Sequence, residues 1–152
     1  MRLLFLCAVF SIALLFGCSS EKINNHYHLY LMGESENWYV KDYKVELHPD
    51  TLIAGDGMVA WKGEEGLETD SFQIGAHAII NQEDHVIQRT SVSGESIIKE
   101  HTTGSIEGGT FLDKDGKPIS IEDIENIYVL IEWWDQDQQK NVSERVDIYQ
   151  KG

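Results

Sequence analysis

The sequence predicts an all-β domain that folds as an antiparallel sandwich of two sheets. In several runs, apolar side chains recur at every second position, which is the period of a half-buried strand. Glycine, asparagine and aspartate cluster between these runs, as turns require. No apolar run continues at the helical period over any length. Strands joined by short turns are therefore expected throughout the domain.

The first strands of the domain are predicted by two successive runs. Tyr27–Leu31 alternates, and the longer run Trp38–His48 follows it. In the second run the apolar positions change parity near Lys41 and Asp42, which predicts a β-bulge there. The sequence His48-Pro49-Asp50 then predicts a turn.

The middle of the chain continues the pattern. Thr51–Lys62 predicts a strand interrupted by glycines, in which Ile53, Val59 and Trp61 face the same side. Phe72–Ile80 predicts a long alternating strand. Both segments are expected to contribute one apolar face to the core.

The second half of the chain supplies the remaining elements. Val86–Val92 and Ser96–Glu100 predict weaker strands, and Ser120–Asn126 predicts a turn or two of helix with a serine cap. Ile127–Trp133 is apolar on both faces, as a central strand requires, and Val142–Ile148 follows as the last strand. About eight strands at these spacings predict an immunoglobulin-like sandwich. We expect its core to include Trp38, Trp61, Val129, Ile131 and Trp133.

The amino terminus has the layout of a bacterial lipoprotein signal. Arg2 precedes an uncharged apolar run that ends in Leu15-Phe16-Gly17-Cys18, which resembles a lipobox. The run is shorter than the roughly 20 apolar residues that cross a bilayer. The resemblance implies cleavage before Cys18, a diacylglyceryl thioether on its sulfur, and a fatty acyl group such as palmitate on its new amine. Plain secretion and an uncleaved anchor are the alternatives.

These features predict a three-part chain. Residues 1–17 form the lipoprotein signal peptide, residues 18–25 the lipidated tether, and residues 26–152 a single β-sandwich domain. The lipid on Cys18 would hold the domain at the extracytoplasmic face of the cell membrane. Because Cys7 leaves with the signal, the folded domain has no thiol for a disulfide, a metal site or a nucleophile.

The composition of the chain excludes one class of partner. It contains 26 acidic residues against 12 lysines and arginines, with a net charge of −14. Nucleic-acid binding depends on basic side chains that neutralise phosphates, and the sequence has no basic cluster. No nucleic-acid partner is therefore expected, and the acidic surface favours cations or simply solubility.

Three segments carry a resemblance to a known group of proteins. They are Gly33-Glu34-Ser35-Glu36-Asn37-Trp38, Trp61-Lys62-Gly63-Glu64-Glu65 and Ile127–Trp133. In this order they resemble small uncharacterised lipoproteins of Gram-positive bacteria that share a GES-x-NW opening, a KGE element and an I-x-V-x-I-E-W strand. The resemblance implies a small all-β domain on the outer face of the membrane, and it implies no activity. Trp134 departs from the pattern, because a turn residue is commoner at that position.

The first of these segments has a folding explanation. Gly33 can adopt a positive φ, Asn37 can bond the local backbone, and Trp38 can anchor the turn in the core. We favour this interpretation over a binding role for the polar residues between them. Trp134, on the opposite face from Trp133, is expected to be buried rather than to form an exposed stacking surface.

Candidate metal ligands are present but incomplete. His26 and His28 lie two apart on a strand and therefore share a face, which is a ligand geometry. A third ligand would have to come from a carboxylate or from one of the other histidines, His48, His77, His85 and His101. Asp113-Lys114-Asp115-Gly116 lacks the later ligands of an EF-hand, and Asp135 and Asp137 form a second acidic loop in the predicted hairpin 135–141. We predict no metal site and no cofactor.

No catalytic centre is predicted. The Gly-Glu-Ser segments lack the second glycine of a nucleophile elbow, and no phosphate-binding loop occurs. The sequence therefore predicts a non-catalytic interaction or structural module, whose partner could be another envelope protein. The alternative is a ligand-binding module for a cation or a carbohydrate. An exposed aromatic patch would favour the first function, and converging carboxylates or histidines would favour the second.

Overall fold

The computed structural model describes residues 26–152, which form two antiparallel sheets that pack face to face. The predicted antiparallel sandwich is confirmed. The predicted signal peptide, the tether and Cys18 lie outside the described residues. Within residues 26–152, no helix is long and apolar enough to cross a membrane.

The domain contains ten strands rather than about eight. In chain order they are β1 (Tyr27–Glu34), β2 (Trp38–Leu47), β3 (Thr51–Gly55), β4 (Met58–Trp61), β5 (Leu67–Ile80), β6 (Glu83–Ile98), β7 (Glu100–Thr102), β8 (Ser105–Gly109), β9 (Ile124–Asp135) and β10 (Lys140–Gln150). The first sheet has the order β7-β4-β2-β3-β8, with β1 on the other side of β2. The second sheet has the order β10-β9-β5-β6.

The bulge predicted in the second strand is present. The register between β1 and β2 shifts between Leu31 and Gly33, where two residues of β2, Lys41 and Asp42, oppose one residue of β1. Asp42 has a φ of 54°, in the left-handed region that aspartate tolerates better than most residues. Because of the extra residue, β2 buries the even-numbered Trp38 and Val40 before the bulge and odd-numbered residues after it.

The prediction of which side chains in residues 51–62 face the core was wrong. β3 and β4 are two strands, and they pair with opposite halves of β2. Gly55, where the chain passes from β3 towards β4, has a φ of 127°. This conformation reverses which alternate side chains face the core. As a result Leu52 and Ala54 are buried, whereas Ile53 does not share the inward face of Val59.

The second sheet follows the prediction in its centre and departs from it at its edge. β9 lies between β5 and β10, as its two apolar faces predict. The two weak strands predicted around Gly94 are one long strand, β6, which continues through the glycine at a φ of 95°. The predicted helical turn is a single 3₁₀ turn, Ile121–Asp123, which Ser120 caps.

An aromatic cluster joins the start, middle and end of the chain in the core. Trp38 is fully buried, and its ring lies 5.0 Å from Trp61 and 5.7 Å from Trp133. Val129, Ile131 and Trp133 are buried as predicted. Trp61 was predicted to be buried, but its side chain is only partly buried. Trp134 is also only partly buried, contrary to expectation.

Candidate functional site

A cleft opens at one end of the sandwich. It has a volume of about 500 Å³, and we call it the end cleft. Trp61 and Trp133 line its wall, and the other lining residues include four acidic ones, Glu65, Glu68, Asp135 and Asp137. Asp135 and Asp137 form the acidic loop predicted from the sequence, whereas Glu65 and Glu68 were not predicted, because only the fold brings them opposite that hairpin.

Close packing against a glycine fixes the tryptophan in this wall. A Cβ atom at Gly63 would collide with Nε1 of Trp61, so only glycine fits beneath the indole edge. Trp61 also lies edge-on to Trp133, with ring centroids 6.1 Å apart. The KGE element therefore has a local role, which is to hold the cleft wall in place.

The acidic hairpin on the other side is held by hydrogen bonds within its turn. The two carboxylate oxygens of Asp135 accept from the backbone N–H of Gln138 at 2.8 Å and from its side-chain amide at 2.7 Å. The backbone hydrogen bond is the main cause that lowers the pKa of Asp135. Asp135 therefore stabilises the turn, which leaves Glu65, Glu68 and Asp137 as the carboxylates available to a ligand.

The polar residues of the GES-x-NW segment bind another strand rather than a cavity. Glu144 of β10 accepts hydrogen bonds from the Ser35 hydroxyl at 2.5 Å, from the Asn37 backbone N–H at 3.1 Å and from the Asn37 side-chain amide. We call this group the Glu144 clasp. Gly33 lies so close to β10 that a Cβ atom would collide with the carbonyl oxygen of Asp147. The segment thus closes one side of the sandwich.

The KGE element is tied to the same turn. The Lys62 ammonium group donates to Glu34 at 2.8 Å and to the backbone carbonyl of Ser35 at 2.6 Å. The Lys62 backbone N–H donates to the carbonyl of Asn37 at 2.8 Å. Two of the three segments that carry the family resemblance are therefore bonded to each other, which supports a folding role for both.

The structure brings three histidines and one carboxylate together at the start of β1. Nδ1 of His26 lies 2.8 Å from Nδ1 of His48, and Glu46 Oε2 lies 3.5 Å from both His28 Nδ1 and His48 Nε2. No three His, Cys, Asp or Glu side chains in residues 26–152 have the arrangement of a metal site. His85 and His101 lie elsewhere, against Phe111 and Phe72 respectively.

His77 belongs to a separate group on the outer face of the second sheet. Its Nδ1 lies 3.2 Å from each carboxylate oxygen of Asp84, which also accepts from the Tyr128 hydroxyl at 2.9 Å. Burial is the main cause that raises the pKa of Tyr128, and the bond to Asp84 adds to it. The other ring nitrogen of His77, Nε2, is buried beside Gly75 without a hydrogen-bond partner. It therefore does not open into a cleft in the way a general base would need to.

Four large apolar side chains are exposed on the outer face of the first sheet. Tyr30 and Met32 of β1 are 68% and 70% exposed, and Tyr39 and Met58 on the neighbouring strands are exposed as well. Met32 and Tyr39 share a shallow depression beside the bulge. The ammonium group of Lys62 lies 4.4 Å from the Tyr39 ring centroid. We call these four residues the sheet patch, which was not predicted from the sequence.

The loop that begins at Asp113 has a structural explanation. One carboxylate oxygen of Asp113 accepts from the backbone N–H groups of Asp115 and Lys117, at 2.8 and 2.9 Å. This oxygen therefore stabilises the turn that the Asp-Gly pair predicts.

Comparisons with known proteins found no match to this chain. No protein-family model matches the sequence, and no curated protein and no solved structure matches the chain.

Proposed function

We propose that the protein is a lipid-anchored, extracytoplasmic and non-catalytic interaction module. The observation that carries the proposal is the sheet patch, because exposed apolar patches on soluble domains mark interaction surfaces. The aromatic and methionine side chains of this patch suit a protein partner, since they offer large contact area and adaptable packing. Another envelope protein is the partner class that fits a domain anchored through Cys18.

The charge around the patch supports a protein partner. The chain is strongly acidic overall, yet Lys41 faces Met58 across the sheet and Lys62 lies over Tyr39. Nearby acids pair with lysines, as Glu34 does with Lys62. The Lys62–Glu34 ion pair leaves no lone charge at that edge of the patch, whereas Lys41, over the Tyr39 ring, is a basic side chain that an acidic group of a partner can pair with.

Site-specific photocrosslinking in cells tests the proposal. A photoreactive residue at Met32 should give discrete adducts with an envelope protein, identified by mass spectrometry. The matched control is the same residue at Val86, which is 49% exposed on the opposite sheet. Equal adducts from both positions, or none from Met32, would contradict an interaction surface at the patch.

A second experiment tests the anchor separately. Cys18→Ala should abolish partitioning of the mature-sized protein into detergent, because the lipid would have no attachment atom. Unchanged partitioning would exclude lipid anchoring at this residue, whatever the result at the patch.

The end cleft favours a second candidate function, which is the binding of a small ligand. Carboxylates and a half-buried indole line one concavity, and this combination suits an organic cation or a sugar. Tryptophan fluorescence titrations with choline and with a neutral oligosaccharide would separate these ligand classes. Asp137→Asn should weaken choline binding, whereas Asp113→Asn, the control outside the cleft, should leave it unchanged. A titration with no response to either ligand would contradict this second function.

A further inference from the structure

We propose that Met32 and Met58 are modification sites at which a peroxide oxidises methionine to methionine sulfoxide, and that the two sulfoxides weaken partner binding at the sheet patch. The second half of this inference rests on the proposed function, whereas the first half does not. Both residues belong to the sheet patch, and the sequence contains no other methionine after Met1.

Both thioether groups are open to solvent in the folded domain. Met32 is 70% exposed and Met58 is 38% exposed. The buried hydrophobic side chains of residues 26–152 include no methionine. Methionine otherwise suits core packing, because its flexible side chain fills irregular gaps. The methionines of this domain are instead on the surface, where a dissolved oxidant reaches sulfur without any opening of the fold.

The fold brings the two methionines onto one face of the first sheet. Met58 of β4 pairs with Lys41 of β2. Met32 of β1 lies along the other edge of β2, opposite the bulge residues Lys41 and Asp42. Neighbouring strands are about 4.8 Å apart, so the two methionines are separated by about 10 Å across β2. A partner surface that covers the sheet patch would therefore cover both of them.

The proposed reaction is a two-electron oxidation at sulfur. A lone pair of the thioether attacks one oxygen of hydrogen peroxide, the O–O bond breaks, and an S–O bond forms. The other oxygen takes the proton that remains on the first and leaves as water, so peroxide is reduced by the two electrons that sulfur loses. No side chain has to act as a catalyst, and residues 26–152 contain no cysteine thiol that would compete for the oxidant.

Oxidation would change the chemistry of the patch without changing the core. A sulfoxide is polar and accepts hydrogen bonds, whereas a thioether is apolar. A partner that packs apolar groups against Tyr30 and Tyr39 would then have to bury two polar oxygens, which is unfavourable unless it offers a donor to each. We expect partner binding to weaken by about tenfold or more. Folding stability should not change, because neither methionine packs in the core.

Peptide mapping by mass spectrometry tests the two sites in the purified full chain in detergent solution. Dilute hydrogen peroxide should add one oxygen to Met32 and one to Met58, and the urea midpoint should stay the same. The rate at each residue should lie within about fivefold of its rate in the urea-unfolded chain, because the folded state already exposes both sulfur atoms. A greater slowing in the folded chain, or a fall in the urea midpoint after oxidation, would overturn the assignment of the sites.

Photocrosslinking in cells tests the effect on partner binding. A photoreactive residue at Tyr30, which lies in the same patch, leaves both methionines in place. Its adducts with the envelope protein should fall by about tenfold after peroxide treatment. The matched variant Met32→Leu/Met58→Leu keeps the patch apolar but contains no sulfur there, so its adducts should survive the same treatment.

The outcomes separate this inference from the proposed function. Absence of adducts from position 30 before oxidation would contradict the interaction surface and the second half of this inference, but not the modification sites. Undiminished adducts after peroxide, with both sulfoxides found by mapping, would overturn this inference alone. An equal loss of adducts in the leucine variant would also overturn it, because the oxidant would then be acting on the partner.

Discussion

Replacing Glu144 with alanine tests the interpretation that the GES-x-NW segment is a structural clasp. The carboxylate accepts three hydrogen bonds from Ser35 and Asn37, across more than 100 residues of sequence. A hydrogen bond to a charged group contributes about 1.5–3 kcal/mol in a buried setting. Because Glu144 is only half-buried, water replaces part of the lost bonding. We therefore expect the free energy of unfolding to fall by about 2–4 kcal/mol rather than by the full sum.

Urea denaturation of the full chain, followed by tryptophan fluorescence, measures this loss. The matched control is Glu132→Ala in the same sheet, because Glu132 is also half-buried and accepts a side-chain hydrogen bond from Gln73 at 3.0 Å. We expect this control to lose about 1 kcal/mol. If Glu144→Ala costs no more than the control, the clasp does not stabilise the domain, and the polar residues of the segment need another explanation.

Two further changes test the core. Ile131→Ala should lower the free energy of unfolding by about 2–5 kcal/mol, because Ile131 is fully buried; a loss below about 1 kcal/mol in urea denaturation would show that the residue is not in the core. Burial raises the pKa of Tyr43, so the unfolded chain loses this proton at lower pH than the folded chain. Stability should therefore fall as the pH rises above about 10, and Tyr43→Phe should reduce that slope in denaturation curves at pH 8–11. An unchanged slope would exclude Tyr43 as its cause.

Alternation along the sequence was enough to predict the strands whose two faces differ. The parity change near Lys41 and Asp42 predicted the bulge, because a strand with one buried face can change parity only by inserting a residue. β9 was predicted to be a central strand because it is apolar on both faces. It pairs with β5 along one edge and with β10 along the other. In both cases the burial of side chains determines the structure, and buried positions can be recognised in the sequence because they are apolar.

Alternation failed where the backbone, rather than burial, determines the structure. β8 is exposed along its whole length, so it has no apolar period to recognise. The connection at Gly55 adopts a positive φ that reverses the expected facing of Ile53. Glycine permits this conformation but does not require it, which is why the facing predicted for Ile53 was wrong.

The candidate sites were the least predictable features, because each depends on register between distant segments. His26 lies opposite His48 because the bulge adds one residue to β2; without the bulge, His26 would lie opposite Leu47. The end cleft requires the hairpin after β9 to lie opposite the loop before β5, and no local pattern encodes that proximity. The sequence identifies histidines and aspartates as candidate ligands by residue type. Only the fold determines which of them lie close together.

The direction of β1 separates the His26–His48 pair from the end cleft along the domain. His26 lies at its start, directly after the predicted tether, whereas Glu34 at its end leads into the turn that contains Asn37 of the end cleft. Eight residues of strand span about 26 Å. The histidine pair and the end cleft are therefore separated by about one strand length. Two residues of the sheet patch, Tyr30 and Met32, lie between them on the same strand. The effects of the histidine pair, the end cleft and the sheet patch can be tested by separate mutations, because these three groups share no residue.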